Sequence, residues 1–207
     1  MSAESAIQVA DWRARVFDLY ARVRELPPEE GHALWRRTRD ELFATHPSTP
    51  LLLEDRPGFP GLPVAPYDPA WRFELPILSA EEERMEVETG TDGIVPFQRI
   101  GRVEVPEVGS LDVWRLASYG GGLFLPVKDA GAGKPGGTYG GGRYLLDTVK
   151  GAHLGADAAD QRITVDFNFA YNPSCAYDPE WACPLAPGGN TVAAAIPVGE
   201  RYSSPTH

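Results

Sequence analysis

Residues 84–115 read RMEVETGTDGIVPFQRIGRVEVPEVGSLDVWR. Within them Met85, Val87 and Thr89 alternate with Arg84, Glu86 and Glu88. Val103 and Val105 alternate with Arg102 and Glu104, and Leu111, Val113 and Arg115 alternate with Asp112 and Trp114. Successive side chains of a strand point to opposite faces, so a period of two marks half-buried β-structure. Further strand-like runs lie at 94–100, 122–128, 142–149, 162–170 and 191–198. About seven or eight short strands with Gly/Pro punctuation predict an antiparallel β-barrel or β-sandwich. The 22 glycines and 20 prolines of this 207-residue chain agree with many turns and short elements.

Upstream the period changes. Val9, Trp12, Val16, Leu19, Tyr20 and Val23 recur at spacings of three and four, the stripe of an amphipathic helix. Leu26-Pro27-Pro28 ends it and starts a second helix, with Pro28 near a first-turn position. That helix uses Leu34, Trp35, Thr38, Leu42 and Phe43 and stops before Pro47. Residues 47–76 then carry eight prolines, so they are neither helix nor central strand. Leu51, Leu52, Leu53, Phe59, Leu62, Tyr67 and Trp71 make them too apolar for a solvated linker, and predict an extended strap packed on the domain. The expected class is α+β, mainly β: a helical hairpin over 1–46 packed on a β-rich region over 47–207, one folding unit overall.

The net charge of −10 opposes phosphate backbones and anionic lipid surfaces. The cationic cluster Arg36, Arg37 and Arg39 is followed at once by Asp40 and Glu41, so neither nucleic acid nor a membrane is expected as a partner. No run of about 18 apolar residues exists to span a bilayer. The start, MSAESAIQVADWRAR, lacks a basic n-region and an apolar h-region, and a cytoplasmic location is expected. Cys175 and Cys183 are too few for a disulfide framework and are expected as thiols. Their seven-residue separation is longer than zinc pairs use, so no metal site is expected. Neither a cofactor nor the oligomeric state is legible.

Two segments concentrate candidate chemistry. Ten glycines fall between 120 and 142, just before Arg143, Tyr144 and Asp147. Glycine lets backbone N–H groups approach an anion, and a guanidinium fork can clamp it. The alternative is a hairpin followed by an ion pair within the sheet. On a strand Arg143, Leu145 and Asp147 share a face. The second segment, TVDFNFAYNPSC (164–175), places Val165, Phe167 and Phe169 on one side and Thr164, Asp166 and Asn168 on the other if it is a strand. Asp166 is then a natural partner for Arg143. The Asn172-Pro173 turn leads into Cys175, a candidate nucleophile, with His46 or His153 as base.

Several phrases taken together carry a family resemblance. They are His46-Pro47-Ser48-Thr49-Pro50-Leu51, FPGL (59–62), Tyr67-Asp68-Pro69 and Trp71-Arg72-Phe73. Later come Thr138-Tyr139, Gly142-Arg143-Tyr144, DFNFAYNPSCAY (166–177), Cys183-Pro184-Leu185, Asn190 and Gly199-Glu200. Their order and spacing resemble the prokaryotic family named domain of unknown function 1684, over roughly residues 10–202. The resemblance implies a stand-alone domain and no assigned reaction. The chain departs from the family pattern at Gly136-Gly137 before Thr138 and at Gly188-Gly189 before Asn190.

The leading expectation is a small-molecule-binding domain with a polar-aromatic pocket for an anionic or polar ligand. Its residues are Tyr139, Arg143, Asp147, Asp166, Asn168, Tyr171 and Asn172, with the glycine loop 131–142 as a lid. One alternative is a hydrolase or transferase using Cys175 or Asp166, with His46 a further catalytic candidate. The other is a protein-interaction module built on the hairpin and strap.

Overall fold

The computed structural model describes residues 2–89 and 93–202. Residues 203–207, His207 included, lie outside the described residues. Ser2 caps the first helix, α1 (Ala3–Glu25), its hydroxyl accepting from the Ser5 N–H at 3.1 Å. Pro28 opens α2 (Pro28–Thr45) at a position where the missing N–H has no intrahelical acceptor. Neither helix is long and apolar enough to cross a membrane.

The strands are β1 (Arg72–Pro76), β2 (Arg84–Thr89), β3 (Gly93–Val105), β4 (Gly109–Leu116), β5 (Leu123–Val127), β6 (Arg143–Asp147), β7 (Ala156–Asp157) and β8 (Arg162–Asp166). They form two antiparallel sheets, ordered β2-β3-β4-β5-β6 and β1-β8-β7. Among the described residues the strands close no barrel. The five-stranded sheet ends on the charged strand β2 at one side. At the other, β6 makes isolated bridges from Tyr144 to Tyr171 and from Asp147 to Ala152. Both sheets feed one core: Val103, Leu111, Val113, Leu125 and Leu145 meet Leu75, Ile163 and Val165.

Three local expectations are corrected. The runs at 94–100 and 102–105 are one strand, bent where its register against β4 shifts between Arg99 and Gly101. A Cβ on Gly101 would stand 2.5 Å from Ile77 Cγ2, so the bend brings the two sheets together only with glycine there. The run at 162–170 stops being a strand at Asp166. Its carboxylate accepts from the Asn168 N–H at 3.0 Å and turns the chain into a 3-10 turn over Phe167–Phe169. The predicted alternation is therefore lost, and residues 165–170 are all buried. Residues 191–198 form no strand. Side chains, described below, hold much of their backbone in place of a ladder.

The helical hairpin packs as the sequence predicts. Leu19, Tyr20, Leu34, Trp35 and Phe43 share a second core with Leu51, Leu62 and Val64 of the strap and with Leu154 and Phe169. Trp35 donates to the Tyr20 hydroxyl at 3.0 Å. Deletion of residues 2–46 is expected to expose that apolar face and to leave 47–207 insoluble or without a cooperative urea transition. A soluble truncation with a sharp transition would show instead that the β-rich region folds alone.

Candidate functional site

The strap and the C-terminal segment build the deepest polar cluster. Ala65 donates to the Gly199 carbonyl at 3.0 Å and Arg201 to the Pro63 carbonyl at 2.8 Å. This pairing carries Glu200 to a fully buried position. There its carboxylate accepts from Arg39 at 2.8 Å, from the Asn172 N–H at 3.2 Å and amide at 3.1 Å, and from the Tyr177 hydroxyl. The Arg39 guanidinium lies 4.6 Å from the Trp35 ring and 5.3 Å from that of Tyr171. Burial raises the Glu200 pKa, and Arg39 opposes that rise.

Arg143, on β6, is 1% exposed and binds chain rather than an open pocket. It donates to the carbonyls of Val198 at 2.6 Å, Glu200 at 3.1 Å and Ile196 at 3.3 Å. Asp129, 3.9 Å away, is its nearest carboxylate partner and also accepts from the Ile196 N–H at 2.9 Å. These bonds secure 196–200 without a strand. Burial pushes the Arg143 pKa down to about 10, so it stays charged at neutral pH.

The expected Arg143–Asp166 pair is not formed. Asp166 accepts from Arg72 at 3.2 Å and from the Asn168 amide at 2.8 Å. Burial raises its pKa against both partners. Asn168 exchanges bonds with the backbone of Asp68 at 2.8 Å in each direction, tying the strap to β8. Nor is the glycine loop an open anion cradle. Gly133 donates to the Thr138 carbonyl, Thr138 to that of Gly131, and Gly137 to that of Lys134. Asp147 pairs with Lys150 at 3.3 Å.

His46 is held by the α1–α2 packing. Its Nδ1 accepts from the Ser48 N–H and its Nε2 lies 3.0 Å from Asp11, so both ring nitrogens are engaged there. His153 contacts Arg24. The histidine base expected for Cys175 is thus absent from the bonds either ring makes.

The two thiols lie on segments that Tyr139 and Tyr144 anchor. The Tyr139 hydroxyl donates to the Cys175 carbonyl at 3.3 Å and lies 3.6 Å from its sulfur. Opposite, the Tyr144 hydroxyl donates to the Pro184 carbonyl at 2.6 Å, and Ala186 to that of Gly141 at 3.1 Å. These two anchors fix the chain on which Cys183 stands. The Cys175 thiol, the backbone N–H groups of Ser174 and Cys175 and the charge of the half-exposed Lys150 all favour a thiolate at Cys183, against its burial. Its pKa is lowered to about 6, and that of Cys175 is pushed up, by Cys183 first and then by burial. Both cysteines are free and half-buried. Among the described residues, no three His, Cys, Asp or Glu side chains are grouped to hold a metal.

Of the predicted residues, Asn172 and Tyr171 join the Glu200 cluster and Tyr139 joins the thiols. The structure also brings in Arg39, Glu200, Lys150 and Cys183. Two clefts, of about 200 and about 40 Å³, lie elsewhere, the larger between α1 and α2, and neither is lined by a predicted ligand residue.

A family model described as protein of unknown function (DUF1684) matches residues 57–201. The chain belongs to the DUF1684 family. The match is shorter than the span the motifs suggest, leaving the helical hairpin outside it but containing Glu200, Arg143 and both thiols. A solution NMR structure of an uncharacterized protein from Haloarcula marismortui is similar, at 31% identity and a TM-score of 0.59. It aligns over 83% of this chain and 92% of that one, so the similarity includes most of the DUF1684 fold. No curated protein matches the chain.

Proposed function

We propose that this DUF1684 protein is a small-molecule-binding domain whose ligand meets the Tyr139–Cys175–Cys183 face and reacts there with Cys183. The observation that carries this reading is a pair of free, half-buried thiols, one with the Tyr139 hydroxyl 3.6 Å from its sulfur and the other with its thiolate favoured by the half-exposed Lys150. Arg143 and Glu200 bind the chain's own backbone and side chains, whereas the thiols stand where solvent and a ligand reach them. Lys150 supplies attraction for an anionic group and Tyr139 a hydroxyl donor. A pre-ionised thiolate needs no histidine base, which favours Cys183 over Cys175 as the nucleophile of a transferase or hydrolase. A cytoplasmic location fits this role, because glutathione there keeps such thiols reduced.

Alkylation by iodoacetamide across pH tests the reading. The Cys183 rate is expected to have its midpoint near pH 6, against about 8.5 for an ordinary thiol. At pH 6 it is expected to exceed an ordinary thiol by about tenfold, after allowing for the lower intrinsic nucleophilicity of an acidic thiol. Cys183→Ser should remove the fast phase, while Cys175→Ser should keep it and move its midpoint upward. A Cys183 midpoint near 8.5 would exclude it as the reactive group.

A further inference from the structure

We infer that the cleft of about 40 Å³ beneath the α1–α2 turn is a second binding site, for small carboxylates with a short apolar tail, and that Arg24 and Arg72 clamp the carboxylate. The cleft shares no lining residue with the thiol face, so the two sites stand or fall separately. Val23, Arg24 and Leu26 reach it from the helical turn and Arg72 from β1, while the buried Leu154 and Phe169 line its inner side. Arg72 donates through Nη1 to the buried Asp166 at 3.2 Å. Arg24 donates through Nη1 to the His153 carbonyl at 3.0 Å and to His153 Nε2 at 3.2 Å. An arginine only donates, so that ring nitrogen accepts and His153 is neutral. Burial lowers the His153 pKa, and the Arg24 charge adds to that. These groups therefore carry two positive charges against the single negative charge of Asp166, and no Asp or Glu among the described residues lines the cleft.

The free edges of the two arginines give the ligand its chemistry. Each uses Nη1 on the chain, and among the described residues Nε and Nη2 of each bond to no protein group. Nε and Nη2 lie on one edge of a guanidinium, the edge that binds both oxygens of a carboxylate. Arg24 is exposed and the Arg72 side chain is 28% exposed, so both edges are open to solvent. Holding His153 and Asp166 accounts for each Nη1. It does not account for two like charges sharing a cleft that has no acid of its own. The apolar inner side and the exposed Leu26 at the rim suit a short hydrocarbon tail. A tetrahedral phosphate would turn a further charged oxygen towards Leu154 and Phe169, which offer it no donor.

The test is a titration of the isotope-labelled full chain with sodium butyrate, followed by proton–nitrogen correlation NMR. Sodium chloride and sodium phosphate at matched ionic strength run beside it. Butyrate is expected to bind saturably, with a Kd on the order of 1 mM, and to move the backbone signals of Val23, Arg24, Leu26, Leu154 and Phe169 together. Arg24→Gln is expected to weaken binding about tenfold or more. Arg24 is exposed, so this variant keeps the fold, whereas replacing Arg72 would strand the buried Asp166. Leu26→Glu leaves both arginines in place, sets a carboxylate at the rim and is expected to weaken butyrate by a similar factor. Shifts that do not saturate, or that chloride reproduces, would overturn the site. So would a wild-type Kd in Arg24→Gln or in Leu26→Glu. Phosphate binding more tightly than butyrate would reject the carboxylate class. Each of these results leaves the alkylation of Cys183 to decide the proposed function by itself.

Discussion

Arg143→Ala is expected to unfold the domain rather than to yield a folded protein that has lost a ligand. The side chain holds the carbonyls of Ile196, Val198 and Glu200, and all three bonds are buried. Truncation strands those acceptors and leaves Asp129 without its nearest cation. Breaking a buried charged partnership costs about 3–5 kcal/mol, comparable with the lower end of total stability for a domain. Arg143→Lys is expected to rescue little, because one ammonium does not reproduce a planar fork reaching several carbonyls. Urea denaturation followed by tryptophan fluorescence measures both. A well-folded Arg143→Ala with near-native stability would show that the 196–200 segment is secured by other contacts.

Glu200→Ala is expected to be as damaging, by about 3–5 kcal/mol, because it leaves the Arg39 charge unpaired among Trp35, Phe43 and Tyr171. Glu200→Gln keeps the shape and part of the hydrogen bonding and should cost less. The two side chains also differ in their pH dependence. Burial raises the Glu200 pKa in the folded chain above its ordinary value of 4.5. The folded state therefore binds the proton more readily than the unfolded state. The stability this shift contributes is fully present below pH 4.5 and is lost as pH rises through the raised value. Glutamine does not titrate, so the gap between wild type and Glu200→Gln should narrow as pH rises from 4.5 towards neutrality. Denaturation midpoints of the two proteins over that range provide the check, and a gap that widens would contradict the sign.

Much of the fold is legible because it is written in local periodicity. The hairpin follows from apolar residues at helical spacing and from Pro27-Pro28, and β2, β3 and β4 follow from alternation. The failures share a physical cause. Asp166 reads as one more outward residue of a strand until its carboxylate caps the turn that ends the strand. Residues 191–198 read as a strand because Val192, Ile196 and Val198 are apolar. Backbone bonds to Lys128 and Ala130 hold Val192 and Ala194, and Arg143 and Asp129, side chains more than fifty residues away, hold Ile196 and Val198.

The polar clusters show the same limit more sharply. Arg39 reads as part of a cationic cluster with Arg36 and Arg37, beside Asp40 and Glu41. Its partner is Glu200, 161 positions along the chain. Gly199-Glu200 was one of the phrases carrying the family resemblance, the single sign in the sequence that a carboxylate there matters. Cys175 follows the Asn-Pro turn, whereas Cys183 is marked only by the Cys183-Pro184-Leu185 phrase of the family resemblance. What favours its thiolate, the charge of Lys150 included, lies far from it in the chain or across a turn.

The sequence by itself determined the helical hairpin, the proline strap, most of the strands and the DUF1684 resemblance, all of which rest on spacing, turn chemistry and residue order. Only the tertiary structure decided that the strands form two open sheets, that Arg143 and Glu200 are bound into the chain, and that the Tyr139 hydroxyl stands against Cys175. Burial and hydrogen-bond partnership decide what a polar side chain is available to do, and both are set by residues distant in the chain.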